Sequence, residues 1–214
     1  MGLRPVYRQE PEDKEAYTAS NDRMYTLFAG VYDFWVKVFP TWKKWLKQAL
    51  PHIHGPKVLE ASFGTGYLLT QYADQVETYG IDYNEKMVAV ASKALRKKGM
   101  HAQLQQADIE QLPFADGMFD CVVNTMAFSG YPDAEQAMSE IHRVLKPGGR
   151  LVLIDVNYPA DGNFMGANLT RLWAVLGDII RDMEPLFRRF HFDYTDEEIG
   201  CFGSVHLYVA EKKG

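Results

Sequence analysis

Acidic side chains and two glycines in the first half of the chain have the types and spacing to bind a nucleotide-like ligand. A short apolar strand, residues 57–59, runs into a turn that contains Gly64 and Gly66, and a helix pattern follows from residue 67. Glycine lacks the Cβ atom that would keep a ligand away from the backbone. Strand-to-helix turns of this kind lie at the carboxyl edge of open α/β sheets, where ligands bind. We therefore predict a nucleotide-binding turn, with Glu60 at the end of the strand facing the same crevice.

The acid in this turn indicates the charge of the ligand. A carboxylate at Glu60 repels a pyrophosphate at close range but holds a cationic group. The dehydrogenase pattern G-x-G-x-x-G fails here, because counting from Gly64 and Gly66 places Leu69 where the third glycine belongs. The turn thus indicates a positively charged ligand rather than a phosphorylated one.

A second acid follows at a spacing typical of ribose binding. Asp82 ends the predicted strand 77–82 and lies 22 positions after Glu60 (82 − 60). In a βαβ unit, an acid at the end of the second strand faces the crevice and can accept both ribose hydroxyls. Asp82 could instead cap the next helix, but Asn84 is available for that role, so we favour ribose binding.

A third predicted strand, residues 101–106, leads to Asp108 and Ile109. This carboxylate can accept from an exocyclic amine while the isoleucine lies against a flat ring, a combination that suits adenine. An acid in an ordinary polar loop explains the spacing equally well, and both interpretations stay open. The apolar strand 119–123 is typical of a buried parallel strand, and it opens into Asn124 at the same edge.

The elements that must position these residues follow a simple order. Strand and helix patterns alternate five times up to residue 156, which predicts an α/β fold with a doubly wound, Rossmann-like, mostly parallel sheet. Beyond residue 157 we predict a helix over residues 164–183 that Pro185 ends, and a final strand over residues 203–211 at the far side of the sheet.

The first fifty residues have a different pattern. Apolar and aromatic side chains recur at three- and four-residue steps from about residue 14 to residue 39, which predicts one or two amphipathic helices. Thr41 can cap a further helix whose apolar stripe includes Trp42 and Trp45. These rings either attach the extension to the main domain or contact a ligand, and both can hold for different rings.

Length, charge and cysteine content exclude several classes of protein. With 214 residues, the chain is long enough for one full α/β domain and little more. A net charge of −5, a pI near 5.7 and the lack of a basic arm argue against a nucleic-acid partner. Two cysteines, Cys121 and Cys201, make a disulfide framework or a cysteine zinc site unexpected, and we predict no metal. Neither a signal peptide nor a bilayer-spanning apolar run is visible, so we expect a cytoplasmic protein.

In this order, the motifs resemble those of the class I S-adenosylmethionine-dependent methyltransferases. The resemblance covers roughly residues 58–156 and is carried by the stretches 58–66, 80–82, 108–114, 119–123 and 140–149. Within that superfamily, the chain is most similar to the small-molecule branch that includes the ubiquinone/menaquinone biosynthesis methyltransferases, where a pair like Tyr32-Asp33 precedes the fold.

The resemblance implies S-adenosylmethionine as the cofactor, bound by a seven-stranded sheet with helices on both faces. It implies one domain over residues 1–214, with an N-terminal helical cap (about 14–50), a cofactor-binding core (about 56–156) and a C-terminal helix with closing strands (about 157–214). The turn would cradle the methionine part, and Asn124 would lie beside the sulfonium. The implied cofactor-binding residues are Glu60, Ser62, Phe63, Gly64, Gly66, Asp82, Tyr83, Met87, Asp108, Ile109 and Asn124.

One departure from the family pattern stands out at Ser62, where the family has glycine, and at Phe63, where it often has a small residue. Serine adds a Cβ and a hydroxyl close to the expected position of the methionine backbone. The turn must therefore follow a slightly different path or use the hydroxyl as a ligand contact.

The function that we expect is transfer of the methyl group of S-adenosylmethionine to a small, apolar or aromatic acceptor by in-line displacement. Alignment and exclusion of water can supply much of the catalysis, and no residue stands out as a general base. Our candidates for the acceptor pocket are Tyr17, Tyr25, Tyr32, Phe128 and Tyr158.

Two alternatives stay open. One is a non-catalytic or regulatory protein that binds S-adenosylmethionine, and the other is methylation of a protein or RNA. Lys43, Lys44 and Lys47 beside tryptophans also suit peripheral contact with a membrane, although a solvated helix face explains them as well. The oligomeric state is not indicated by the sequence.

Overall fold

Apolar parallel strands form the centre of the structure, a computed structural model that describes residues 4–8, 10–20 and 40–213. The strands are β1 (Lys57–Ala61), β2 (Glu77–Asp82), β3 (Gln103–Gln106), β4 (Phe119–Thr125), β5 (Leu145–Val156), β6 (Phe192–Gly200) and β7 (Val205–Lys212). Their order across one sheet is β3-β2-β1-β4-β5-β7-β6. Strands β1 to β5 pair in parallel, while β7 is antiparallel to both of its neighbours. The strand order reverses between β1 and β4, so a ligand crevice is expected beyond the carboxyl ends of these two strands.

Helices cover both faces of this sheet. In the described part of the chain they are α1 (Pro40–Lys47), α2 (Leu69–Tyr72), α3 (Glu85–Lys98), α4 (Ala134–Val144), α5 (Phe164–Leu176) and α6 (Met183–Arg189), and residues 14–20 are also helical. Successive strand residues point to opposite faces. Val122 accordingly joins an apolar cluster with Ile141 of α4, while Val123 joins a second cluster with Leu95 of α3. The predicted doubly wound α/β fold is confirmed.

Residues of α1 attach the N-terminal part to the far edge of the sheet. The Trp45 ring lies against Gly200, where an added Cβ would come within 2.1 Å of the indole Nε1. Ala49 is fully buried in the same region. The ring centroids of Trp42 and Trp173 lie 6.3 Å apart, which links α1 to α5. Trp42 and Trp45 therefore connect the N-terminal extension to the main domain, which is one of the two roles predicted for these rings.

Two sequence predictions for the C-terminal part are wrong, one in the bounds of a helix and one in the place of a strand in the sheet. The helix predicted over residues 164–183 ends at Leu176, because Gly177 takes a φ of +125° as its C-cap. Pro185 does not end a helix but lies in the first turn of α6, where a missing N–H costs nothing. The last strand, β7, lies between β5 and β6 rather than at the far side of the sheet.

Strand β6 was not predicted, because only Phe192 and Tyr194 alternate with polar residues and the rest of its sequence is mostly charged. Most of its side chains are exposed, as suits a charged strand at the edge of a sheet. Among the described helices, none combines the length and the apolar character that crossing a membrane requires.

Two glycines, Gly66 and Gly99, have nearly equal φ angles but different surroundings. Substitutions at the two positions therefore distinguish the effect of crowding from that of backbone strain. Gly66 has a φ of +74°, and a Cβ added there would lie 2.6 Å from the Cβ of Ala91 in α3. Gly99 has a φ of +71°, and an added Cβ would meet nothing within 4 Å. Gly66 therefore allows α3 to pack closely against the turn after β1.

We expect Gly99→Ala to lower the free energy of unfolding by about 1 kcal/mol, from left-handed strain alone. Gly66→Ala should lower it by about 1–3 kcal/mol more, because α3 must move away from the turn. Urea denaturation of both variants measures the difference. Equal destabilisation of the two would show that the close approach at Gly66 does not limit stability.

Candidate active site

One cavity opens at the carboxyl edge of β1, β2 and β4, at the reversal of strand order. Nine of the eleven predicted cofactor-binding residues line it, namely Glu60, Ser62, Phe63, Gly64, Asp82, Tyr83, Met87, Asp108 and Ile109. The two others lie directly behind the wall. Gly66 packs against α3, and Asn124 is fully buried at the end of β4.

The Asp82 carboxylate holds two backbone segments together at the end of β2. Its Oδ2 accepts from the N–H of Gly64 at 2.8 Å, and its Oδ1 accepts from the N–H of Asn84 at 3.0 Å. The predicted cap of α3 is Asn84, whose side chain accepts from the N–H of Lys86 at 2.9 Å. Asp82 is thus not the helix cap, and its carboxylate lies in the cavity wall.

The Glu60 side chain is buried at the end of β1, with 1% of its surface exposed. Its Oε2 accepts from the Tyr72 hydroxyl at 2.9 Å. Burial raises the pKa of Glu60 to about 8, because desolvation penalises the charged form and the charge of Asp82 adds to this, although the hydrogen bond from Tyr72 opposes it. A cation placed against this carboxyl would favour its ionised form, which is the chemistry that the sequence predicted.

Ser62 takes the left-handed conformation that a glycine would take at this position. Its φ is +57°, a conformation that costs a residue with a Cβ about 1–2 kcal/mol. The Ser62 Oγ lies 2.6 Å from the hydroxyl of Tyr131. The Tyr131 oxygen also accepts from Asn124 Nδ2 at 2.6 Å, and the same nitrogen donates to the carbonyl of Ala61 at 3.0 Å. The serine therefore keeps the glycine path of the turn, and its hydroxyl is held by Tyr131.

Phe63 contributes packing rather than polar contacts. Its side chain is 6% exposed, and its ring lies against Gly80 of β2, where an added Cβ would come within 2.8 Å of Phe63 Cδ1. The missing side chain at Gly80 makes room for the large residue at position 63. The second departure from the family pattern is thus compensated on the neighbouring strand.

Another part of the cavity lining combines apolar side chains with a carboxylate. Met87 and Ile109 are 4% and 5% exposed, and both line the cavity. The Asp108 Oδ1 accepts from the N–H of Glu110 at 2.9 Å, which orients the carboxylate in its loop. Tyr83 is 46% exposed and lies at the rim. The structure brings these side chains together at one cavity, and binding of adenine by them stays a prediction.

The predicted acceptor residues do not gather at this cavity. The Tyr17 hydroxyl donates to the carbonyl of Gly177 at 2.8 Å, and that of Tyr158 donates to the carbonyl of Val6 at 3.2 Å. Phe128 is 2% exposed and packs edge-on against Tyr131. None of these three side chains is part of the cavity lining. Tyr25 and Tyr32 lie outside the described residues.

Sequence reasoning missed Tyr131, which lines the cavity and joins Ser62 to Asn124. The available signal was its position, in the loop between a strand that ends at the carboxyl edge and the N-cap of α4. Trp42, Leu46 and Met126 also line the cavity and give it an apolar wall. Among the described residues, no group of three or more His, Cys, Asp or Glu side chains could hold a metal ion.

The loop after β4 that carries Tyr131 is anchored from behind by two carboxyl groups. Ser129 Oγ lies 2.9 Å from Asp155 Oδ1 and 2.7 Å from Asp178 Oδ1, and the Ser129 N–H donates to Asp155 Oδ2 at 2.7 Å. One hydroxyl hydrogen cannot serve both carboxyl groups, so the second contact requires a proton on one of them. Burial, together with the charge of Asp178, raises the pKa of Asp155 to about 6, and burial also raises the pKa of Asp178.

Comparison with known proteins agrees with this geometry. Residues 59–153 match the sequence family described as methyltransferase domain. The chain is 37% identical over 111 residues to a demethylmenaquinone methyltransferase of Thermus thermophilus, an alignment that covers 50% of each protein. It is 32% identical over 170 residues to the ubiquinone/menaquinone biosynthesis C-methyltransferase of Blochmanniella pennsylvanica, which covers 74% of this chain and 65% of that protein. The chain thus spans less than two thirds of the length of these curated relatives.

Among solved structures, a Thermotoga maritima protein described as an S-adenosylmethionine-dependent methyltransferase superposes with a TM-score of 0.71 at 19% identity. The superposition covers 89% of this chain and 99% of that one. At this identity the likeness concerns the fold. The resemblance inferred from the sequence motifs is confirmed by these matches together.

The carboxyl pair behind the loop makes stability depend on pH. A carboxyl whose pKa is raised in the folded state stabilises the fold while protonated, below its unfolded pKa of about 4, and this contribution is lost as the pH rises through about 6. Asp178→Asn removes one of the two charges. We expect the variant to be about 1 kcal/mol more stable than wild type at about pH 8 and equally stable near about pH 4.

Urea denaturation at both pH values tests this expectation. Asp74→Asn, at an exposed position, removes the same charge and is the matched control. A gain for Asp178→Asn that is the same at both pH values, or that the control shares, would contradict the shared proton.

Proposed function

Since this chain has the fold and the domain sequence of the class I S-adenosylmethionine-dependent methyltransferases, we propose that it transfers a methyl group from S-adenosylmethionine to a small, apolar or aromatic acceptor. The observation that carries the proposal is the row of three carboxyl groups, Glu60, Asp82 and Asp108, along one cavity wall. Their chemistry suits, in order, an ammonium, a ribose diol and an exocyclic amine.

The residues of the turn fit this cofactor. Gly64 lines the cavity, and a Cβ added there would meet nothing within 4 Å, so a side chain would occupy the ligand's space. Its φ of +54° also favours glycine. Met87 and Ile109 supply the apolar surface that a purine requires.

Orientation and exclusion of water are the main contributions of the protein to the reaction. When bound, S-adenosylmethionine supplies an activated methyl group on a sulfonium. Glu60 and Asp82 hold two ends of the ligand, so the reacting carbon has few positions open to it. The apolar wall of Trp42, Leu46 and Met126 excludes water from the acceptor side. Burial raises the pKa of the Tyr131 hydroxyl, which therefore stays protonated and serves as a hydrogen-bond donor rather than as a base.

The acceptor class is supported by this wall and by the relatives. Two curated relatives carry the names of enzymes that methylate demethylmenaquinone or act in ubiquinone and menaquinone biosynthesis. A demethylated naphthoquinol, flat and apolar, is the acceptor to test first. The cavity lining among the described residues holds no histidine, which suits an acceptor that is already nucleophilic.

A protein that binds S-adenosylmethionine without transferring the methyl group is the second candidate. The strained Ser62 at a position where the family has glycine favours it, because the added hydroxyl reshapes the methionine end of the site. Turnover decides between the two.

Wild-type protein should transfer a radiolabelled methyl group from S-adenosylmethionine to a demethylated naphthoquinol presented in detergent. Asp82→Asn should weaken S-adenosylmethionine binding about 10- to 100-fold, the size expected for the loss of hydrogen bonds to a charged group. Isothermal titration and a filter assay measure the two effects. Asp161→Asn, which removes an exposed carboxylate outside the cavity, should change neither.

Each outcome of that experiment has a meaning. Wild-type protein that does not bind S-adenosylmethionine would overturn the proposed function. Binding without transfer to a panel of quinols and phenols would favour the non-catalytic alternative, and unchanged affinity in Asp82→Asn would remove Asp82 from the ribose site.

Glu60 should release a proton when a cation binds next to it. Its pKa of about 8 means that the carboxyl is protonated near neutral pH in the absence of ligand, and an ammonium stabilises the ionised form. At about pH 6.5, wild-type protein should release close to one proton on binding S-adenosylmethionine, while Glu60→Gln should release none. Titrations in buffers of different ionisation enthalpy count the protons.

5′-Methylthioadenosine, which lacks the amine, is the matched control ligand and should release no proton from either protein. Equal proton release by wild type and Glu60→Gln would show that Glu60 does not meet the ammonium.

A further inference from the structure

The backbone of the glycine turn offers few donors to an anion. The N–H groups of Ser62 and Phe63 donate to one carbonyl of β2, at 2.8 and 3.4 Å, and that of Gly66 donates to the carbonyl of Phe63 at 2.9 Å. The N–H of Gly64 is taken by the Asp82 carboxylate. These four donors hold the shape of the turn. Within residues 62–66, only the N–H of Thr65 makes no hydrogen bond to a described residue, so a carboxylate that binds in this part of the cavity relies largely on side-chain donors.

A count of hydrogens shows that the Ser62–Tyr131 pair has one donor left over. Asn124 Nδ2 donates to the carbonyl of Ala61, which can only accept, so this atom is the amide nitrogen, and its second hydrogen goes to the Tyr131 oxygen. The Ser62 and Tyr131 hydroxyls carry two hydrogens, and the bond between them uses one, whichever oxygen donates. No acceptor for the other hydrogen exists among the described residues. Both side chains line the cavity.

We infer that the remaining hydroxyl hydrogen of the Ser62–Tyr131 pair binds the carboxylate of the methionine part of S-adenosylmethionine. This inference rests on the proposed function and assigns to Tyr131 a role in selecting the cofactor. The ammonium and the carboxylate of the ligand share one carbon atom, and Glu60, which suits the ammonium, lies two residues before Ser62 on the chain. The two charged groups of the ligand thus meet a carboxyl and a hydroxyl at neighbouring points of the same wall.

The inference also explains why a serine occupies a position that favours glycine. Left-handed strain at a residue with a Cβ persists where surrounding contacts fix the conformation. The hydrogen bond to Tyr131 fixes Ser62 at a φ of +57°, and Asn124 in turn holds Tyr131. Serine in place of glycine at position 62 strains the backbone but supplies a hydroxyl for the ligand.

Decarboxylated S-adenosylmethionine is the probe that separates this role from a structural one, because it keeps the sulfonium and the amine and lacks only the carboxylate. Either hydroxyl alone still carries one hydrogen, so the decisive variant is Ser62→Ala/Tyr131→Phe. We expect it to bind S-adenosylmethionine about 10- to 100-fold more weakly than wild type, and to bind the decarboxylated probe within about threefold of wild type. Wild type should prefer S-adenosylmethionine over the probe, and the variant should lose that preference.

The control is Tyr79→Phe, which removes a tyrosine hydroxyl that contacts Glu77 outside the cavity and should leave both affinities unchanged. If the double variant does not fold, Ser62→Gly/Tyr131→Phe removes both hydroxyls and also relieves the strain at position 62. Thermal denaturation establishes which variant is folded.

Equal weakening of both ligands would overturn the inference, because it would show a structural role for the pair. Unchanged affinity for S-adenosylmethionine with a raised KM for the acceptor would also overturn it and would place the hydroxyl at the acceptor. Failure of wild-type protein to bind either ligand would instead overturn the proposed function on which the inference rests.

Discussion

The geometry of the site depends on two hydrogen bonds that the Asp82 carboxylate accepts. It accepts from the N–H groups of Gly64 and Asn84, and so joins the turn after β1 to the start of α3. Hydrogen bonds to a charged group contribute about 1.5–3 kcal/mol each, enough to fix the relative position of two segments far apart in the chain. Strands β1 and β2 pair in parallel from Lys57 to Ala61, which places the turn and Asp82 at the same edge of the sheet. The two ends of the ligand cavity are held at a fixed distance as a result.

Most backbone N–H groups of the turn already make hydrogen bonds within the protein. Four of the five backbone N–H groups from Ser62 to Gly66 stabilise the path of the turn, so recognition of the ligand falls mainly to side chains. Glu60 and Ser62 do this from buried or strained positions, which a fold tolerates where neighbouring contacts determine the conformation. Tyr72 supports the first, and Tyr131 supports the second. A buried acid and a non-glycine residue in the left-handed conformation are both unfavourable locally, and such residues are typical of functional sites.

Packing around the site compensates for each unusual residue on an adjacent element. The large Phe63 has room because Gly80 opposes it on β2, and α3 lies close to the turn because Gly66 opposes Ala91. The loop that carries Tyr131 is anchored by Ser129, whose hydroxyl contacts the buried Asp155 and the half-buried Asp178. Each compensation comes from another strand or helix. A change at Gly80, Ala91 or Ser129 therefore alters the shape of the cavity from a position outside its lining.

The sequence by itself determined the fold class, the three acids of the site and the cap of α3, because strand-helix alternation and the ends of parallel strands follow from local patterns. It could not place β6, whose charged residues show no alternation, nor the break at Gly177, which a helix pattern tolerates. Only the tertiary structure decided that Ser62 keeps a glycine conformation and that Tyr131 reaches it. That contact joins residues 69 positions apart, and its energy depends on a distance of 2.6 Å that no local pattern encodes.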